Sequence, residues 1–414
     1  MHRSPRPLWR GLIHCFVGLS LSGAALWAHA QATQTLAQAF EQAWSAQPLP
    51  HTLASRRSAL AASRQAAGSW TAQAAALELR AQTDRPGTDR GAQELEVGVA
   101  LPLWLPDQRS RSLALVQHEE RSLDARVASA RLQLAGQVRE AWWAWQRANV
   151  ERALAEDQLQ HARALSEDVH RRVRAGELAR ADAHQADGAL ALTQSTQAQA
   201  EGRSLLAWQT LQGLTGSGQP WGPAVAEPPP GENPPDIAQH PLVRELDQQA
   251  ATARQAAELA DTQSRANPEL LLGTVHSRDQ RGEPRQRQLS VGLRLPWGES
   301  PAQRALAARA HADATELDVL ATRQRQLLQS ALDVAQARWH VAQRALDAAQ
   351  RRATLARENQ AFFDKAFRLG ETDLPTRLRI TQEAHEASRQ AALAAIDLAA
   401  ATSAWRQAAG LLPE

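Results

Sequence analysis

The side chains of this 414-residue chain that could do chemistry are not spaced as a catalytic or metal centre. Ten histidines follow residue 30, and no two are four residues apart, the spacing that places two imidazoles on one side of a helix. The single lysine, Lys365, has no neighbouring base, and the chain has no nucleophile elbow or phosphate-binding loop. We therefore expect no enzymatic activity, no resident metal ion and no cofactor.

The first thirty residues have the pattern of a secretory signal peptide. A positive start is supplied by three arginines: Arg3, Arg6 and Arg10. The apolar run 12–27 follows, and small residues then allow cleavage after Ala30 or Ala32. The only cysteine, Cys15, lies inside the apolar run, so we expect neither lipidation nor disulfides in the mature chain. An uncleaved anchor helix is the alternative.

Charge argues against a nucleic acid partner. The formal net charge of the whole chain is +2, and three arginines leave with the signal peptide, so the mature chain carries 2 − 3 = −1. The basic character therefore belongs to the precursor, and no basic block with interleaved aromatic residues is present.

A short phrase occurs twice: LEVGVALPLW at residues 95–104 and LSVGLRLPW at residues 289–297. Gly98 and Gly292 are 194 residues apart, as are Pro102 and Pro296. The same offset relates the segments RAGE, which begins at Arg174, and RLGE, which begins at Arg368. Shared register over several pairs predicts a tandem duplication. The units are residues 31–213 and 241–414, joined by the Pro/Gly-rich segment 214–240.

Each unit is predicted to contain the same elements in the same order. An alanine-rich helix comes first, then a β-hairpin, then a long helical hairpin that turns at Gly176 or Gly370. The predicted ranges are 33–70 and 240–265 for the first helices, 74–103 and 268–297 for the β-hairpins, and 106–213 and 301–410 for the helical hairpins. The runs 109–172 and 303–368 lack proline and are rich in strong helix formers, which predicts rods of roughly 95 Å. Their alanine content favours self-association into a larger helical assembly.

Alternating residues in the predicted strands give one apolar and one polar face. A soluble two-layer sheet, a lipid-facing barrel and a sheet completed by a partner are all compatible with alternation. An export signal and strands of about ten residues favour the barrel. Four strands cannot close a barrel alone, so a multimer is required, and three protomers would supply twelve strands. Pro102 and Pro296 are predicted to end the strands. Gly98 and Gly292 are assigned to the same strand ends, with Trp104 and Trp297 at the aromatic girdle.

These features resemble the TolC-type outer membrane efflux proteins, from about residue 33 to residue 412. The resemblance rests on the two Val-Gly…Leu-Pro strands and the two glycine turns, in order and in register. It implies an α+β membrane protein: a homotrimer with a twelve-stranded outer membrane β-barrel and a periplasmic α-barrel made of long antiparallel helical hairpins. The segment VRAGELARAD, residues 173–182, resembles the CzcC branch, which serves cation-exporting pumps of the RND type.

The resemblance also implies that the glycine turns form a periplasmic tip. The residues assigned to this tip and to adaptor docking are Arg174, Gly176, Glu177, Asp182, Phe367, Arg368, Gly370, Glu371 and Asp373, of which the six charged ones would set tip charge. The alternative is that these are ordinary solvated charges at helix ends. In the second copy Thr376 stands where the first has Asp182, and Phe367 stands where the family carries a tyrosine. A gating network found in relatives is therefore expected to be either rewired or missing here.

The implied function is a passive exit duct in the outer membrane of a Gram-negative bacterium. Its partners would be outer membrane lipid, a periplasmic membrane-fusion adaptor and an inner-membrane RND pump, with metal cations as cargo. A duct for type I protein secretion or drug efflux is the alternative. A periplasmic coiled-coil adaptor is a further alternative, although adaptors carry one helical hairpin and this chain is predicted to have two.

Overall fold

The computed structural model describes residues 35–216, 218, 221–231 and 236–414. The signal peptide and both cleavage positions therefore lie outside the described residues. Within them, two rod-like helical hairpins carry one small β-sheet at their common end. None of the helices in this part of the chain is both long and apolar enough to cross a membrane.

The predicted first helix, 33–70, is two helices. Helix α1 spans Leu36–Ser45 and α2 spans Pro48–Ala67. Gln47 between them is extended, with φ −73° and ψ 150°. Proline disfavours helical backbone at the residue before it but is well placed at the first helical position, so Pro48 ends one helix and begins the next. The prediction of one continuous helix was wrong at this point.

The long helices match their predicted ranges closely. Helix α3 spans Gln108–Arg174 and α6 spans Pro301–Arg368, about 100 Å each. The returning helices are α4, Arg180–Thr215, and α7, Leu374–Ala408. Helix α5, Pro241–Thr262, precedes the second strand pair and packs between α3 and α6. Both halves of the described chain thus pass through helix, two strands and a helical hairpin in the same order.

The four strands form one antiparallel sheet in the order β1-β2-β3-β4. They span Ala76–Thr83, Gln93–Pro102, Glu269–Arg278 and Gln286–Arg294. The hairpins join through β2 and β3, whose register runs from Gln93 opposite Arg278 to Pro102 opposite Glu269. Pro102 ends β2 as predicted. Pro296 does not end a strand, because β4 stops at Arg294.

One face of the sheet is apolar and open. Its exposed members are Leu77, Leu79, Leu95, Val97, Val99, Leu272, Leu289, Val291 and Leu293. The opposite face is polar and held by ion pairs: Arg80 with Glu96 at 3.0 Å, and Arg294 with Glu269 at 2.7 Å. An apolar surface that continues across every strand is not covered by any other part of the described chain.

Two facing glycines let strands β2 and β3 approach each other closely. Gly98 on β2 lies directly opposite Gly273 on β3. A Cβ at Gly273 would lie 2.8 Å from Ser290 Oγ and 3.0 Å from the Val97 carbonyl oxygen. The strands therefore approach too closely for side chains. Arg294 on β4 consequently reaches across to Glu78 on β1, 3.5 Å away.

Gly273→Ala should destabilise the sheet by about 1–3 kcal/mol, because the added methyl group overpacks a backbone contact. Gly292→Ala is the matched control, since its Cβ would meet Leu271 at 3.5 Å, an ordinary contact. The midpoint temperature of thermal unfolding of the purified chain measures the effect. Equal midpoints for the two variants would contradict this account of the close strand approach.

The main core lies midway along the rods. Trp142 and Trp145 of α3 pack edge-to-face with ring centroids 6.0 Å apart, and Trp221 of the inter-repeat segment packs on Trp142 at 5.9 Å. Phe40 of α1 and Leu211 of α4 are buried in the same cluster. The tryptophan-rich stretch of α3 therefore packs between helices.

A buried charge cluster fastens the inter-repeat segment to this core. Glu227 accepts two hydrogen bonds from Arg139 of α3, at 2.7 and 3.0 Å. Arg406 of α7 lies 3.2 Å from the same carboxylate. The side chains of Arg139 and Arg406 are each only 4% exposed, and that of Glu227 is 2% exposed. The segment predicted simply as a Pro/Gly-rich joint is therefore packed and charged where it crosses the core.

Candidate functional site

Two tight turns form the end of the molecule opposite the sheet. Gly176 follows α3 with φ +81°, and the Glu177 N–H donates to the Arg172 carbonyl at 2.9 Å. Gly370 follows α6 with φ +78°, and the Glu371 N–H donates to the Ala366 carbonyl at 2.9 Å. This left-handed glycine with a six-to-one bond is the Schellman ending of a helix. Both predicted turn glycines therefore occupy positions that require them.

The helices that follow the turns, α4 and α7, each have an aspartate at their N-terminal end, but at different positions. In α4, Asp182 is the third helical residue, and its Oδ2 accepts from the Ala179 N–H at 3.0 Å. In α7, Asp373 is the N-cap, and its Oδ1 accepts from the Thr376 N–H at 3.0 Å. Hydrogen bonds from the Thr376 hydroxyl and N–H hold the pKa of the Asp373 carboxyl below its usual range. The acid predicted to be missing at Thr376 is thus supplied three residues earlier, as a cap.

We predicted that Phe367 takes part in adaptor docking. It is not a surface docking residue, because only 3% of it is exposed. It packs in a small core with Val169 of α3, Ala186 of α4 and Leu374 of α7. Two guanidinium groups cover its ring, Arg172 at 5.0 Å and Arg377 at 4.7 Å from the centroid. The residue therefore joins the two hairpins just inside the tip, a role that needs a ring and no hydroxyl.

The remaining predicted tip residues face solvent. Arg174, Glu177, Arg368 and Glu371 are exposed, two from each turn. Glu177 accepts a hydrogen bond from Arg172 Nε at 3.0 Å, which links tip charge to the arginine on Phe367. Sequence reasoning missed Arg172 and Arg377, because no sequence signal showed that both lie against one ring. Adaptor docking by the exposed residues stays a prediction.

At the sheet end, the predicted tryptophans differ in setting. Trp104 is partly buried and donates its Nε1–H to the Ser69 carbonyl at 3.1 Å. Trp297 is 92% exposed, and Trp70, just before β1, is 95% exposed. Trp70 escaped prediction, although a tryptophan beside a predicted strand was the available signal. Gly98 lies mid-strand and not at a strand end, and Gly292 likewise lies within β4.

The histidines are scattered with one exception. His161 of α3 and His385 of α7 lie with ring centroids 5.8 Å apart, where the two helical hairpins meet. They line a groove of about 420 Å³ that also has Asp168, Asp364 and Arg377 on its walls. No group of three or more potential metal ligands occurs among the described residues. The pairing could not be foreseen, because the two residues are 224 positions apart, 385 − 161.

Acidification from about pH 7 to pH 5.5 should weaken the contact between the hairpins. Burial, and secondarily the charge of His161, lower the pKa of His385 below its usual value of about 6.5, although Asp157 and Asp364 act in the opposite direction. The unfolded chain then takes up a proton before the folded chain does. Stability from this residue is therefore present above about pH 6.5 and falls as the pH drops below it.

Thermal unfolding of the mature chain at both pH values tests this prediction. His385→Gln should lose less stability on acidification than the unmodified chain. His311→Gln is the matched control, because His311 is exposed and pairs with Asp261 at 3.0 Å. An identical pH dependence in the chain with and without His385 would contradict the prediction.

Comparison with known proteins agrees with this architecture. Residues 30–217 match the family model described as Outer membrane efflux protein, which is just under half of the chain and includes the first β-hairpin and the first tip turn. A search of curated proteins found no match. The first half of the chain therefore carries the sequence pattern of outer membrane efflux proteins.

Solved structures share the fold over nearly the whole chain. CusC, described as forming a transmembrane channel, aligns with a TM-score of 0.71 at 15% identity over 95% of this chain and 96% of its own. The outer membrane protein VceC of Vibrio cholerae aligns at 0.69 and 14% over 92% and 97%. The CmeC outer membrane channel of Campylobacter jejuni aligns at 0.69 and 13% over 97% and 94%. The structural similarity establishes the fold. Sequence identity this low leaves the function to be argued from the site.

Proposed function

We propose that this protein is the outer membrane channel of a tripartite efflux system, a passive duct with a large periplasmic portion. The observation that carries the proposal is the open apolar face on all four strands, at one end of helical rods about 100 Å long. An apolar surface of this extent in water would drive aggregation. Bilayer lipid covers it, while the polar face, with Arg80, Glu96 and Arg294, lines water.

A closed oligomer follows from the open edges of the sheet, and the resemblance to the TolC-type outer membrane efflux proteins supports three protomers. The outer strands β1 and β4 each have one edge without a partner strand in the described chain. Unpaired backbone groups cannot remain in lipid, so β4 of one protomer pairs with β1 of the next. Three protomers give twelve strands. Exposed apolar side chains on the outer helices, Leu205 and Leu206 of α4 and Val319 and Leu320 of α6, support the same lateral contact.

The tip would dock to a periplasmic membrane-fusion adaptor, and through it to an inner-membrane RND pump that supplies the energy. The exposed charges of Arg174, Glu177, Arg368 and Glu371 support this assignment. For cargo we favour metal cations, on the resemblance of residues 173–182 to the CzcC branch. Drug efflux and type I protein secretion use the same kind of duct, and cargo contacts the duct only in passing.

The assembly is tested by expressing the full chain in a Gram-negative host and fractionating its membranes. We expect trimers in the outer membrane fraction that resist heating in detergent. Deletion of the gene should then lower tolerance of divalent transition metals while leaving drug tolerance and protein secretion unchanged. A chain recovered as a water-soluble monomer would overturn the channel proposal, and a loss of drug tolerance alone would overturn the metal assignment.

A further inference from the structure

The apolar face of the sheet has two different ends. The end next to the helices carries the exposed tryptophans Trp70 and Trp297. The far end, over residues 80–95 and 274–289, contains no aromatic residue. The segment 276–288, which covers the end of β3, the second turn and the start of β4, contains four arginines and two acids, Asp279 and Glu283. In ordinary channels, aromatic belts lie at both surfaces of the bilayer. Other side chains must therefore hold the far end of the sheet at the bilayer surface.

Strand register places basic side chains on the apolar face. His276 of β3 lies opposite Arg287 of β4, and both alternate in step with Leu272, Leu289 and Val291. Arg287 Nε lies 3.4 Å from His276 Nε2. Arg278 lies two residues beyond His276 and therefore on the same face. The apolar surface thus ends in a row of cationic groups.

These arginines are available for an outside anion. Among the described residues, no carboxylate lies within 4 Å of Arg278 or Arg287, whereas Arg281 in the same turn pairs with Asp89 at 3.1 Å. Arg278 uses its Nε for the Gly91 carbonyl at 3.3 Å, which leaves the ends of its guanidinium free for another acceptor. Arg287 is exposed. Long arginine side chains can lie along an apolar surface while their charged ends reach its edge.

We propose that Arg278 and Arg287 bind the phosphate groups of a glycolipid headgroup, of the lipid A type, in the leaflet at the far end of the sheet. The proposal rests on the proposed function, because it requires the apolar face to lie in a bilayer. A guanidinium group matches phosphate oxygens with two parallel hydrogen bonds. The acyl chains would then lie against Leu289 and Val291 directly below, so one ligand satisfies both the charge and the apolar surface.

The experiment uses the full mature chain, purified in detergent as the assembled trimer. Binding of diphosphorylated lipid A is measured for Arg278→Gln/Arg287→Gln and for the matched control Arg80→Gln/Arg294→Gln. The control also removes two strand arginines, but from the polar face. A basic residue at an anionic surface contributes about fivefold to affinity, so the first variant should bind about tenfold or more weakly. The control should bind as the unmodified chain does.

Three results would overturn the proposal: equal binding by both double variants, equal binding of lipid A stripped of phosphate, or full competition by millimolar inorganic phosphate. If the glutamine variant does not assemble, Arg278→Lys/Arg287→Lys replaces it. Lysine keeps the charge but cannot form the two parallel hydrogen bonds, so about threefold weaker binding is expected. Unchanged binding by the lysine variant would contradict the proposal. Failure of the unmodified chain to form detergent-stable trimers would instead count against the channel itself.

Discussion

Glu227→Ala is expected to lower the free energy of unfolding by about 3–5 kcal/mol, because it leaves Arg139 and Arg406 buried without their shared carboxylate. Arg139 makes two hydrogen bonds to Glu227 and further bonds to Gln407 Oε1 at 2.7 Å and the Leu411 carbonyl at 2.9 Å. Arg406 Nε lies 3.2 Å from Glu227 Oε1, without hydrogen-bond geometry, and Arg406 Nη1 donates to the Pro228 carbonyl at 3.0 Å. Removing Glu227 therefore leaves Arg139 without any carboxylate partner, and leaves Arg406 with only the exposed Glu414, which lies 2.7 Å from its Nη2.

Denaturant unfolding followed by tryptophan fluorescence measures the loss, at fixed protomer concentration because association adds to apparent stability. Trp143 reports locally, since its Nε1–H donates to Ser403 Oγ at 2.8 Å and Ser403 in turn donates to Glu227. Asp397→Ala is the matched control: it breaks the ion pair with Arg147, whose side chain is 44% exposed, and should cost under about 1 kcal/mol. Similar losses for both variants would refute the role of the buried cluster.

Gly176→Val/Gly370→Val is expected to reduce export to below about a tenth while trimers still form. Valine at a positive φ costs about 1–3 kcal/mol per site, so each turn will adopt another backbone path. A Cβ at either glycine would meet nothing within 4 Å, so no clash spreads into the rods. The double substitution should therefore change the shape of the docking end alone.

Export is measured as restored metal tolerance in a deletion strain, alongside the amount of heat-resistant trimer. Gly188→Val is the control, because Gly188 also has open space around it but lies in the regular helix α4. It should export normally. Full export by the double variant would exclude the glycine turns from docking. Loss of trimer would show that the turns act in folding.

Local chemistry made several features predictable. The long helices could be placed to within a few residues because proline is absent over more than sixty positions and glycine nearly so. The split at Pro48 was missed although its signal was local, since proline at a first helical position was not weighed against the alanine-rich run around it. The strands were found from alternation, and the end of β2 at Pro102 was predicted correctly, but β4 stops before Pro296.

Tertiary placement decided the features that join distant segments. The 194-residue offset predicted that Thr376 replaces Asp182, but only the capping bonds showed that Asp373 does equivalent work three residues earlier. Phe367 was assigned to the docking tip from the family resemblance, by its position three residues before Gly370. It is buried because the other hairpin lies against it there.

By itself the sequence determined the order of the strands and long helices, the approximate lengths of the long helices, the positions of both turns and the two faces of the strands. These features follow from residue propensity and periodicity along one segment. Only the tertiary structure decided that Glu227 is buried between two arginines, that His161 meets His385, and that Gly98 faces Gly273. These contacts depend on how rods and strands from separate halves approach one another. That approach is set by packing summed over the whole molecule, and no local pattern encodes it.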